Sequence, residues 1–124
     1  MIKSFLTFLL IFVNYSGFSG NIQNSNQFSQ IPENYLNKVV GAIFIAEGGN
    51  NTKYPFGIKS IKTNNPERIC RNTVRNNYLR WQQAGKTNDF ISFLGGRYCP
   101  IGDKEDKNGL NKNWIRNVQR LVDK

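Results

Sequence analysis

The sequence predicts a small, mainly helical domain, with any sheet confined to a short β-hairpin or an irregular loop behind the first helix. Three observations carry this. Apolar residues recur at helical spacing in several segments. Start and stop signals bracket those segments. The one candidate for a strand is the Pro- and Gly-containing stretch at 50–64, with Ile58 and Ile61 as its apolar residues. With 124 residues there is enough chain for one modest domain and too little for two.

The elements follow in order. The opening MIKSFLTFLLIFVNYSGFSG has Lys3, an apolar run from Phe5 to Val13, and small residues at Ser16, Gly17, Ser19 and Gly20. That is the pattern of a secretory signal peptide over 1–19. The run is shorter than the ~20 residues that span a bilayer. The expectation is a periplasmic or secreted protein with no stable membrane insertion once the signal is removed. The Asn-, Gln- and Ser-rich stretch at 20–31 reads as a flexible lead-in, which puts the folded domain at 32–124.

Within the domain, Leu36, Val39, Val40 and Ile43 fall at i, i+3, i+4 and i+7, predicting a helix over 33–46 that Gly48 and Gly49 stop. Asn65-Pro66-Glu67 supplies an N-cap, a proline at the first helical position and an acid in the first turn. The helix it starts runs to about Ala84, before Gly85, with Cys70, Val74, Tyr78 and Trp81 inward. Asn88 caps a short helix over 89–94 that Gly95 and Gly96 end. Asn111 caps a last helix to about Asp123, with Trp114, Ile115, Val118, Leu121 and Val122 inward.

Composition narrows the chemistry. The chain carries 17 Lys and Arg against 8 Asp and Glu, a formal charge of +9. An exported basic protein suits anionic partners such as wall polymers, lipid headgroups or nucleic acid. Histidine is absent. Ser-His-Asp and Cys-His catalysis are thereby excluded, and two cysteines cannot build the usual zinc cluster, so no cofactor or metal is expected. A carboxylate is left as the general acid or base. Cys70 and Cys99, in an exported chain, are expected to form one disulfide, contributing about 3 kcal/mol in the chain-entropy picture.

Glu47 stands out among the acids. It lies four residues after Ile43 and seven after Val40, so it continues the apolar stripe into the last turn of its helix. The negative end of the helix dipole and burial both disfavour the charged carboxylate there, and both predict a raised pKa. A carboxylic acid kept protonated is what glycosidic cleavage needs. The glycines after it let a polymer approach closely. Glu33, Glu67 and Asp89 sit in first turns, where capping or the dipole accounts for them. Asp103, Glu105 and Asp106 alternate with lysines in a surface loop. Tyr54 and Phe56 either stack on sugar or close the lid of the core. Trp81 and Trp114 read as core, and Arg68, Arg71 and Arg75 as a solvated face.

Helix, Glu47-Gly48, loop, Phe56-Gly57-Ile58-Lys59-Ser60, Asn65-Pro66-Glu67-Arg68-Ile69, Tyr78-Leu79 and Arg97-Tyr98-Cys99-Pro100 follow one another in an order and spacing that resemble the catalytic domains of soluble lytic transglycosylases and goose-type lysozymes. Gly48, Ser60 and Cys99 stand where that family has Ser, Gln and Asn. The resemblance covers roughly 36–98. It implies an α+β lysozyme-like fold and cleavage of peptidoglycan glycan strands between N-acetylmuramic acid and N-acetylglucosamine. It further implies Glu47 as the single general acid and base, Tyr98 positioning it, and substrate contacts at Gly57, Ile58 and Ser60 beside Tyr54 and Phe56. The partner expected is then peptidoglycan rather than nucleic acid, and the protein a monomer. The competing expectation is a non-catalytic exported module that binds anionic wall polymer or nucleic acid.

Overall fold

The computed structural model describes residues 28–58, 62–98, 109 and 111–124. The expected signal peptide, most of the lead-in, Ser60, Cys99 and the acids of the 101–108 loop lie outside the described residues. Among the described residues four helices carry the fold: α1 (Glu33–Ala46), α2 (Pro66–Gln83), α3 (Phe90–Tyr98) and α4 (Asn111–Val122). Helix α1 packs on both α2 and α4, and α3 joins α2 to α4. The core between them is built from Leu36, Val39, Val40 and Ile43 of α1, Cys70 and Val74 of α2, Leu94 and Tyr98 of α3, and Trp114 and Val118 of α4. Each large apolar side chain buried there stabilises the fold by roughly 1.5–3 kcal/mol. Among the described residues no helix is long and apolar enough to cross a membrane.

Local signals explain the helix limits. Pro32 precedes α1, and Asn65 caps α2 by accepting from the Arg68 N–H at 3.1 Å. Gly85, at φ 86°, follows α2's last turn. Two expectations are corrected. Among the described residues the segment after Glu47 shows no hairpin and takes the irregular alternative: it folds into two 3₁₀ turns, Gly49–Asn51 and Pro55–Gly57, with no strand. Positive φ angles at Gly48, Gly49, Phe56 and Gly57 coil the chain too tightly for a strand.

The second correction concerns α3, which does not stop at Gly95-Gly96 but runs through them to Tyr98. A Cβ on Gly95 would stand 2.3 Å from Ile115 Cγ1 and 3.3 Å from the Trp114 ring. The glycine is there to let α4 come close. Asp89, not Asn88, caps α3: its carboxylate accepts from the Ser92 N–H at 3.0 Å and from the Ser92 hydroxyl, and the Phe93 N–H donates to its carbonyl. Gln119 of α4 donates to the same carboxylate at 3.1 Å. Burial works against the charge of Asp89, but the bonds from Ser92 and Gln119 outweigh it and hold this carboxyl below its ordinary range.

The outer helices are tied by polar contacts. Arg71 reaches Glu33, Glu67 and Asn37, and Arg75 reaches Glu33, linking α1 to α2 across their solvent side. Such exposed pairs contribute little each, ~0–1 kcal/mol. Packing extends N-terminal of Pro32. Ile31 is buried, and the Gln82 side-chain amide accepts from the Ser29 N–H and donates to the Ser29 carbonyl at 2.7 Å. Buried positions on α2 include Thr73, Asn77 and Gln82, while Tyr78 and Trp81 are half-buried against the core.

Candidate active site

Glu47 is the residue that ends α1. Its N–H still donates to the Ile43 carbonyl at 2.9 Å, so the side chain leaves the last helical turn on the core side. Gly48 then turns the chain at φ 103°, a backbone conformation that side-chain-bearing residues rarely adopt. This gives the glycine after Glu47 a conformational reason. The residue is half-buried, and its carboxyl meets α4.

What meets it from α4 is Trp114. The indole Nε1–H donates to Glu47 Oε1 at 2.9 Å, and the ring itself is buried. Trp114 is held in turn by Tyr98, at the end of α3, whose ring stacks on it at 5.1 Å between centroids and 21° between planes. Stacked aromatic pairs contribute ~0.5–1.5 kcal/mol beyond their burial. The Tyr98 hydroxyl donates to the Phe56 carbonyl at 2.7 Å. Phe56 sits at φ 65°, where a bulky residue is strained. The Tyr98 bond, and the Phe44 ring 5.2 Å away, keep it there. One continuous arrangement thus runs from the loop through Tyr98 and Trp114 to the Glu47 carboxyl.

The expected site residues divide on this frame. Glu47 and Tyr98 are brought together through Trp114. Tyr98 is only 1 % exposed, and it stacks on the indole that donates to Glu47. Tyr54 is exposed at the loop surface, with Lys53 Nζ 5.6 Å from its ring centroid. Phe56, expected as a possible sugar-stacking ring, is instead buried against Phe44, and Gly57 and Ile58 are buried with it, because the 3₁₀ turn folds them onto α1 and α2. Ser60 lies outside the described residues. Cys70 carries a free, fully buried thiol, 3.9 Å from the Tyr98 hydroxyl, and Cys99 lies outside the described residues. Burial pushes the Cys70 thiol up to about 12, so it is neutral at physiological pH.

Trp114 is the site residue that sequence reading missed. Its place on the apolar stripe reads as core, and its ring is there. Its one polar atom faces the acid, which only the packing of α4 on α1 decides. The signal available beforehand was general: an indole N–H buried in a helix stripe needs an acceptor. Among the described residues no group of three His, Cys, Asp or Glu side chains is placed to hold a metal ion. No family model, curated protein or solved structure matches this chain.

Proposed function

We propose that this chain is an exported peptidoglycan-cleaving enzyme, a lytic transglycosylase or muramidase, with Glu47 as its general acid and base. The observation that carries the reading is the bond from Trp114 to Glu47. The carboxyl of a half-buried residue is held at one oxygen by a buried donor, beside an exposed glycine turn. An indole N–H can only donate, so the proton of the neutral acid belongs on Oε2 rather than on Oε1. Held this way, Glu47 protonates the glycosidic oxygen as the bond from the muramoyl C1 breaks. The carboxylate that results then takes a proton from the muramoyl C6 hydroxyl as that oxygen closes on C1. Water in place of the hydroxyl gives the hydrolytic product. Only one essential carboxylate is needed for the ring-closing route, in contrast to the pair that most glycosidases use.

In this reading Tyr54, exposed at the loop surface, stacks on a sugar ring, and Tyr98 keeps both the loop and the indole in place. The test is incubation of the purified chain with peptidoglycan sacculi. Soluble muropeptides are expected, and mass spectrometry of their ends separates anhydro from hydrolysed products. No release across the acidic to neutral range would overturn the reading.

A further inference from the structure

The outer face of α4 carries a stripe of cations. Lys112, Arg116 and Arg120 recur at every fourth residue, all exposed, and Lys124 follows just past the helix. Neighbours stand about 6 Å apart along the axis, and the three helical members span about 12 Å. On α2, by contrast, Arg71 and Arg75 are paired with Glu33 and Glu67. Among the described residues no acid pairs with any member of the α4 stripe. Asp123, three residues after Arg120, is the only acid of this segment, and it sits beyond the helix end.

Within the helix these cations repel one another. Like charges at i,i+4 destabilise a helix by ~0.2–0.5 kcal/mol per pair. Lys112 lies in the first turn, at the positive end of the macrodipole, with no acid there to offset it. The dipole accounts for Arg120 and Lys124 near the C-terminus, but it opposes Lys112.

We propose that this face docks a linear wall polyanion, a polymer of repeating phosphodiesters. The stripe is narrow and winds gently round the helix, and it presents cations at regular intervals, which matches a one-dimensional, flexible chain of anions. The exposed large apolar side chains described are Phe28, Ile45 and Tyr54, none of them on α4. Among the described residues the face therefore offers no exposed ring on which a base can stack and no apolar wedge for a lipid surface. Trp114, Val118 and Val122 point inward from the opposite side of the same helix, so a docked polymer leaves the Glu47 side uncovered. This inference does not depend on catalysis by Glu47.

The test is binding of the full chain to purified poly(glycerol phosphate), followed by fluorescence anisotropy at several salt concentrations. The triple variant K112Q/R116Q/R120Q keeps good helix formers in place. It is expected to lose at least tenfold in affinity, and its log–log salt slope should shrink by about two to three, if each cation releases a counterion as nucleic-acid binding does. The control K38Q/K62Q/R68Q removes the same charge from exposed positions elsewhere and should lose far less. Should the triple variant fail to fold, the three single variants replace it, each with a smaller loss and a slope reduced by about one. Equal losses in stripe and control variants, or no loss in the stripe variants, would overturn the proposal. So would tighter binding to single-stranded DNA of matched charge or to anionic phospholipid vesicles than to the polymer.

Discussion

The two tryptophans of this chain make the same bond to different partners. Trp81 lies in a cluster with Tyr78 and Phe90, which Tyr35 joins through Phe90, and its indole N–H donates to the Asn88 carbonyl at 2.7 Å. Trp114 lies against Tyr98, and its indole N–H donates to a carboxylate at 2.9 Å. In the first region the donor meets a backbone acceptor that cannot titrate, at the turn leading into α3. In the second it meets a side chain whose protonation state can change. Two similar aromatic clusters therefore differ in one atom's partner, and that difference separates a structural corner from a place where chemistry can occur.

The sharpest way to break the comparison is Glu47→Gln. Turnover should fall by ~10²–10⁴-fold, the usual contribution of a positioned acid, while the fold persists because the amide fills the same volume. Release of muropeptides at matched folded concentration reads this. Replacing each tryptophan by Phe is the next step. Trp114→Phe should lower turnover by about ten- to a hundredfold, since the acid is no longer fixed. Trp81→Phe should leave turnover alone and cost about 0.5–1.5 kcal/mol in urea unfolding. Equal effects of the two on turnover would erase the distinction.

A smaller effect is expected behind the indole. Gly95→Ala forces a methyl group into Ile115 and the Trp114 ring. It should destabilise by about 1–3 kcal/mol, seen as a lowered Tm, and disturb turnover through Trp114. Gly96→Ala, with open space around it, should do neither. The smallest effect concerns Asp89. Its folded carboxyl titrates below the unfolded value near ~3.9, so its contribution to stability is present above that pH and fades as pH falls through the folded value. Asp89→Asn keeps a good cap and should flatten the stability–pH curve in the acid range, as read by urea unfolding at acid and neutral pH.

Much of the fold was legible because its signals are local. The four-residue spacing of α1's apolar stripe, the Asn65-Pro66-Glu67 start of α2 and the inward face of α4 act within one element, and the helices form where they point. Gly95 was misread because a glycine stops a helix only when nothing else needs the space. Here α4 does, and that is a property of two elements packed together. Phe56 was ambiguous for the same reason: aromatic character does not say which way a ring faces. Glu47 was legible because its position on the stripe placed it at the core edge. Trp114's part was hidden because its acceptor lies 67 residues away in the chain.

The central claim is that the carboxyl fixed by Trp114 is the working acid, and the two indole N–H signals report on it most directly. In a ¹⁵N-resolved NMR titration, one of them should move with pH as Glu47 gains its proton, and the other should stay still. The midpoint should coincide with the carboxyl midpoint in the pH dependence of muropeptide release, and the movement should disappear in Glu47→Gln. A Trp114 signal that does not move, or one whose midpoint has no counterpart in the rate profile, would contradict the account.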